Sequence, residues 1–321
     1  MLQVLGLVLP FFGLIAIGYA AARIIRTPAD GLAWMNTFIV YIALPALFFN
    51  LLSRTPVEQL TQWRFIIATT MTTFIIFAAA FIIAVLRNGG KVPESTVMGL
   101  GAAYGNIGYM GPGLALLAFG EAAIVPVALV FCFDNTLHFI LAPLFMALSG
   151  KDPNGPSGFR LALDVFRKII THPFIMATII GIMAAVFQVQ PPQAVQTLID
   201  YLANAAAPCA LFAMGVTLGL RPLRRVPSET TYIAALKLIG APLLAYIIVS
   251  RAGDFPDVWV YAAVLLAGLP TATNVYVIAQ QYDVWVERAS AIVLITTVGS
   301  VLTVTGLLYL MTNNILPPDL F

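Results

Sequence analysis

Ten apolar stretches of roughly 20 residues or more follow one another along this chain, with only short polar breaks between them. They run over residues 2–23, 31–52, 64–86, 95–118, 122–148, 169–189, 194–219, 229–250, 257–281 and 286–311. An α-helix rises about 1.5 Å per residue, so roughly 20 residues cross the hydrocarbon layer of a bilayer. Ten such segments use nearly all of the 321 residues and leave no room for a separate soluble domain. Composition agrees, with 60% of residues hydrophobic and only 9% charged, where a soluble domain carries about 25% charged residues. The mean hydropathy is +0.95. Too few charges exist to cover a globule, so lipid must face most of the outside. The expected fold class is all-α integral membrane, with about ten transmembrane helices.

The net charge of +2 gives no reason to expect a nucleic-acid partner. Cys132 and Cys209 both lie inside apolar stretches and read as core residues, because a disulfide framework has no purpose there. No Lys or Arg precedes Arg23, and the first stretch is long. It is therefore expected to remain as a span and not to be cleaved as a signal peptide. No cofactor and no metal site are expected.

Cytoplasmic loops of membrane proteins retain Lys and Arg. The odd-numbered loops hold Arg23, Arg26, Arg87, Lys91, Lys151, Arg160, Arg167, Lys168, Arg221, Arg224, Arg225 and Arg288; the even-numbered loops hold only Arg54, Arg64 and Arg251. This asymmetry puts both termini on the non-cytoplasmic side of the cell inner (plasma) membrane. The longest break, with its Lys151-Asp-Pro-Asn-Gly-Pro-Ser-Gly158 opening, divides the chain near its middle. Residues 1–150 then form one half, 151–168 a cytoplasmic linker and 169–321 the other half.

The halves resemble one another at a shift of 163 residues. Pro10 and Phe11 fall on Pro173 and Phe174, Ile17 and Gly18 on Ile180 and Gly181, and Ala43, Pro45 and Phe49 on Ala206, Pro208 and Phe212. Pro45 and Pro208 carry most weight, since each fixes a kink at the same depth. Five spans per half is an odd number, so the second half enters the membrane from the opposite side. That is the 5+5 inverted repeat found in many secondary transporters.

Two spans in corresponding positions are interrupted. In the fourth, glycines at 99, 101, 105, 108, 111 and 113 surround Asn106 and precede or follow Pro112. In the ninth, Gly268-Leu-Pro270-Thr271-Ala-Thr273-Asn274-Val275-Tyr276 places a proline and a polar cluster at mid-membrane. Gly costs about 1 kcal/mol and Pro about 3 kcal/mol in a helix interior. Broken backbone at that depth is tolerated only where it is buried or lines a cavity. A break also frees N–H groups and leaves about half a positive charge at the new helix N-terminus, which suits a carboxylate. The amides of Asn106 and Asn274 add directional donors and acceptors. Small residues also let membrane helices pack closely, which is the plainer explanation of either stretch taken alone.

Leu44-Pro45-Ala46-Leu47-Phe48, Gly105-Asn106-Ile107-Gly108 with Pro112, and Leu269-Pro270 through Asn274-Val275-Tyr276 with Gln281-Tyr282 resemble the auxin efflux carrier family over essentially the whole chain. That family includes plant auxin exporters and bacterial malonate or related carboxylate transporters. The resemblance implies a fold like that of bile-acid sodium symporters and certain sodium/proton antiporters. Spans 1, 2, 6 and 7 would form a scaffold, spans 3–5 and 8–10 a moving transport unit, and broken helices 4 and 9 would cross at the substrate site. Carried over by motif, that site is Gly105, Asn106, Ile107, Gly108 and Pro112 with Pro270, Thr271, Thr273, Asn274, Val275 and Tyr276. The expected partners are a small organic anion, the lipid bilayer, a proton or sodium as coupling ion, and a second copy joined through the scaffold helices. Unlike the plant members, this chain has no large hydrophilic loop between spans five and six, which makes auxin a poor first guess for the substrate.

Three ionisable residues lie within spans. Asp134 and His138 are four apart, so they share a helical face and could share a proton. Lys237 could neutralise a carboxylate, in the place a cation takes in sodium-coupled relatives. Charges at mid-membrane are costly and usually functional, although His138 also reads as a bonded core residue and Lys237 as a snorkelling side chain. The leading expectation is a secondary active carrier of a malonate-like carboxylate working by alternating access. A membrane-embedded sensor of an organic acid would need an output domain that is not apparent. An intramembrane enzyme would need a motif such as His-Glu-x-x-His, which the chain lacks.

Overall fold

A computed structural model describes residues 2–25, 31–149, 160, 163, 166, 167, 170–220 and 228–318. Most of the 151–168 linker lies outside the described residues, as do Arg26, Lys151, Lys168, Arg221, Arg224 and Arg225. The described chain is helical and forms no strand beyond one isolated bridge. In order, the helices are α1 Leu2–Ile25, α2 Gly31–Phe38, α3 Leu44–Leu52, α4 Val57–Leu60, α5 Trp63–Arg87, α6 Val92–Ala103, α7 Ile107–Phe119 and α8 Ile124–Leu148. After the linker come α9 Pro173–Val186, α10 Gln193–Gly219, α11 Glu229–Ala235, α12 Ala241–Ala252, α13 Asp257–Ala267, α14 Thr273–Gln281 and α15 Val286–Thr312. Seven helical stretches among the described residues are long and apolar enough to cross a membrane: 8–25, 31–52, 57–87, 107–148, 193–219, 229–252 and 286–312. Shorter apolar helices run over Ile175–Val186 and Asp257–Ala267.

The fourth span is less broken than its glycines suggest. Its helix stops only at Tyr104–Asn106 and resumes at Ile107, with Gly108, Gly111, Pro112 and Gly113 inside α7. Gly108 and Gly113 serve close packing. A Cβ on Gly108 would come within 2.9 Å of the Phe131 ring, and one on Gly113 within 2.7 Å of Phe11.

Two helices contain a wider, π-helical turn: Ile39–Ala43 before Pro45 and Leu236–Gly240 before Pro242. A proline ring clashes with the carbonyl four residues back and offers no N–H to it. Widening the preceding turn is one way to relieve that conflict, and π-bulges recur at functional positions. Pro208, by contrast, sits inside the continuous helix α10.

The chain forms two compact units. The first comprises Met1–Trp63, Ile107–Cys132 and Thr171–Pro222. Within it α1 lies along α10, and α9 lies against α3. Glycines allow these approaches: a Cβ on Gly18 would fall 2.2 Å from the Phe212 carbonyl oxygen, and one on Gly181 would fall 3.3 Å from the Phe49 Cα. The two contacts are images of each other, because adding 163 converts Gly18 to Gly181 and Phe49 to Phe212. The second unit comprises Arg64–Asn106, Phe133–Ile170 and Leu223–Phe321. Its core is apolar, built on Phe77, Leu100, Tyr104, Ile233, Val275 and Ile292 among others.

Among the described glycines of the first unit, Gly215 makes the tightest approach, since a Cβ there would sit 2.0 Å from the Ile15 carbonyl oxygen. Gly215→Ala should therefore push α1 and α10 apart and destabilise the protein by about 1–3 kcal/mol. Gly6→Ala, with nothing within 4 Å of its added Cβ, should not. Thermal unfolding of the two purified variants checks this, and equal melting temperatures would contradict the packing.

Candidate functional site

The two interruptions in the second unit lie side by side. The Asn106 N–H donates to the Pro270 carbonyl at 2.7 Å, and the Ala272 N–H donates to the Tyr104 carbonyl at 2.8 Å. Gly105 and Thr271 form an antiparallel bridge between these bonds. Each break thus satisfies backbone groups that the other exposes, as a buried polar backbone requires. Thr271 ties the junction further, donating its hydroxyl to the Gly101 carbonyl at 2.7 Å and its N–H to the Thr296 hydroxyl at 3.1 Å. Asn106 and Thr271 are buried.

Gly105 allows a close approach here. A Cβ at this position would lie 3.1 Å from Lys237 Nζ and 3.3 Å from the Leu266 carbonyl oxygen. Lys237 extends from the π-helical turn, is only 1% exposed, and donates to the Ala267 carbonyl at 2.7 Å. Its ammonium therefore caps the C-terminal end of α13, where unpaired carbonyls and the helix dipole favour positive charge. At the other side of the same break α14 begins at Thr273, and Ala272 gives it no side-chain cap. The ninth span thus presents a cation on the carbonyl end of its break and an uncapped N-terminus on the other.

A polar network surrounds this junction. The Tyr104 hydroxyl donates to Asn135 Oδ1 at 2.7 Å and accepts from Asn274 Nδ2 at 2.9 Å. Its ring stacks on His138, with centroids 4.0 Å apart and planes 10° from parallel. Asp134 Oδ2 accepts from the Thr73 hydroxyl at 2.7 Å. His138 Nδ1 lies 2.5 Å from the Asp134 backbone carbonyl. A carbonyl only accepts, so Nδ1 carries the proton and donates it. Asp134 and His138 do share a helical face, and the bond that joins them runs to the main chain of Asp134. Among the described residues, Asp134 Oδ1, His138 Nε2 and Thr273 Oγ1 are buried without a hydrogen-bond partner. Unpartnered buried polar atoms cost about 1–3 kcal/mol each and call for a water, ion or ligand.

Of the candidates read from the sequence, the second unit contains Gly105, Asn106, Asp134, His138, Lys237, Pro270, Thr271, Thr273, Asn274, Val275 and Tyr276. Ile107, Gly108 and Pro112 belong to the first unit, in α7. Three members of the network, Tyr104, Asn135 and Thr73, are not among those candidates. Tyr104 and Asn135 each adjoin a candidate and are polar side chains within apolar spans. Thr73 resembles its neighbours Thr69 and Thr72, which only return a hydroxyl to their own helix.

This assembly belongs to a membrane transport protein. The membrane transport protein family, the family of the auxin efflux carriers, matches the chain twice, over residues 3–148 and 145–308, and the chain belongs to it. A Rhizobium meliloti protein provisionally named a malonate transporter is 57% identical over 321 residues, the full length of both chains. An uncharacterized transporter of Methanothermobacter thermautotrophicus is 23% identical over 300 residues, covering 92% of this chain and 94% of its own. The Escherichia coli uncharacterized transporter YfdV is 23% identical over 308 residues, covering 93% and 95%. The family and these relatives are transporters, not enzymes. The protein is accordingly a multi-pass membrane transporter.

Tyr104 offers a direct check on the network. Tyr104→Phe keeps the ring on His138 but leaves Asn135 Oδ1 and Asn274 Nδ2 without their shared hydroxyl. The variant should lose about 1–3 kcal/mol of stability, seen as a lower melting temperature in detergent. An unchanged melting temperature would mean that the hydroxyl bridge contributes nothing.

Proposed function

We propose that this protein is a secondary active carrier of a small organic anion, a malonate-like carboxylate, bound where the fourth and ninth spans break and cross. The observation that carries this reading is the mutual pairing of the two breaks through Asn106, Pro270, Tyr104 and Ala272. A pairing of that kind holds two interrupted helices at one depth and leaves helix-end donors available to a carboxylate. Thr273 and Asn274 begin α14 without a side-chain cap, and the Thr273 hydroxyl is still unpartnered. Asn106 and Asn274 supply amides beside it, and Lys237 supplies a positive charge at the same break. The 57% identity to a protein provisionally named a malonate transporter favours a short dicarboxylate.

In this reading the chain has ten spans in a 5+5 inverted repeat, supported by the mirrored Gly18–Phe212 and Gly181–Phe49 approaches. Spans 1, 2, 6 and 7 serve as scaffold and as the surface for a second copy. Spans 3–5 and 8–10 carry the substrate by an elevator-like movement. The protein sits in the inner membrane with both termini outside the cytoplasm. Asp134, His138 and Lys237 provide the counter-charge that couples transport to a proton or sodium gradient.

Uptake of radiolabelled malonate into proteoliposomes, competed by other short organic acids at varied pH and sodium, tests the function. Saturable malonate uptake is the expected result, and no saturable uptake of any acid would overturn it. Asn106→Ala and Asn274→Ala should each weaken binding at least about tenfold, since an amide bond to a charged group contributes about 1.5–3 kcal/mol. Unchanged affinity in both would make the junction a structural hinge. Asp134→Asn and Lys237→Ala should alter the pH or voltage dependence of uptake; wild-type dependence in both would place coupling elsewhere.

A further inference from the structure

The second unit contains a cleft of about 400 Å³, apart from the paired breaks, lined by Arg87, Asn88, Lys91, Glu94, Met98, Trp285 and Arg288. It gathers residues from three places: the C-terminal end of α5, the first turns of α6 and the start of α15. Three of the lining side chains are cationic and one is acidic, so the lining taken by itself is basic. Glu229 offsets part of it through an ion pair with Arg288 at 3.0 Å, and Glu287 stands in the first turn of α15. Arg87 lies over the Tyr232 ring, 5.3 Å from its centroid, which holds the guanidinium in place. Neither Lys91 nor Trp285 gives its helix, α6 or α15, a side-chain cap.

The floor and wall are of different character. Met98 is buried at 1% exposure and receives the Asn88 amide on its sulfur at 3.3 Å. The Trp285 indole forms one side. Basic side chains beside a buried methionine, with Trp285 and Tyr232 alongside, match the interface between membrane and water. Guanidinium groups hold phosphate oxygens in a bidentate fork, and helix N-termini add N–H donors to the same kind of group.

We propose that this cleft binds a phosphate group, carried either by the headgroup of an anionic phospholipid or by a free phosphate. One consequence follows from α6, which carries Glu94 and Met98 at the cleft and ends at Ala103 beside the Tyr104–Asn106 break. Occupancy of the cleft would brace the helix that leads into the junction.

The purified full-length protein would be reconstituted into nanodiscs of phosphatidylcholine alone or with phosphatidylglycerol, and also titrated with inorganic phosphate at constant ionic strength. Bound lipid is read by native mass spectrometry and stability by thermal unfolding. Arg87→Gln combined with Lys91→Gln should reduce retention of phosphatidylglycerol, or protection by phosphate, by about tenfold. Lys91→Gln alone, at an exposed position, should give a smaller reduction and guards against misfolding of the double variant. Selective retention of phosphatidylglycerol identifies the lipid as the source, and protection by free phosphate alone identifies the soluble ion. If wild type shows neither preference, or if both variants match it, the proposal is overturned. The outcome is independent of whether malonate is transported.

Discussion

Backbone polar groups in the hydrocarbon of a bilayer have no water to bond with, and each one left unpaired costs several kcal/mol. A helix can be interrupted there only if something else answers its N–H and carbonyl groups. In this protein the two interruptions answer each other, through the bonds from Asn106 to Pro270 and from Ala272 to Tyr104. Neither break is well satisfied without the other. The residues at the junction follow from that requirement. Gly105 leaves room for the Lys237 ammonium and the Leu266 carbonyl, which a Cβ would crowd, and the Thr271 hydroxyl reaches the Gly101 carbonyl while its backbone N–H reaches Thr296.

The charged and polar side chains around the junction divide the work. Lys237 meets the carbonyl end of α13, so its cost of burial is offset by a helix end that favours a cation. Tyr104 joins Asn135 to Asn274 and rests on His138, linking helices α8 and α14 through one side chain. Satisfied polar networks of this kind fix one arrangement, and a partly satisfied one is costly. Asp134 Oδ1, His138 Nε2 and Thr273 Oγ1 remain without a hydrogen-bond partner beside this network.

Much of this architecture is legible in the sequence. Hydrophobic runs mark the helices closely, because span length is set by bilayer thickness. The expected segment 31–52 is helical from Gly31 to Leu52, and 194–219 corresponds to Gln193–Gly219. The proline in Leu269-Pro270 and the Gly105-Asn106 pair mark both interruptions. The glycines from 108 to 113 mislead, because a glycine that admits a neighbouring helix looks the same in sequence as one that ends its own. Gly108 faces Phe131 and Gly113 faces Phe11, and those partners are distant in the chain. The role of Tyr104 was equally hidden. An aromatic residue in an apolar span reads as core until its hydroxyl is seen between two asparagines. The π-helical turn that carries Lys237 leaves no composition signal beyond Pro242, five residues on.

The paired interruptions have the proposed role of holding the transported anion. The most direct measurement uses the wild-type protein in lipid, with ¹⁵N-labelled asparagine and malonate labelled with ¹³C at its carboxylates. Solid-state dipolar recoupling should show a malonate carboxylate within hydrogen-bonding distance of asparagine side-chain nitrogen, and the signal should vanish in the Asn106→Ala, Asn274→Ala double variant. Saturable malonate uptake without any such coupling, or coupling that survives in the double variant, would contradict the account.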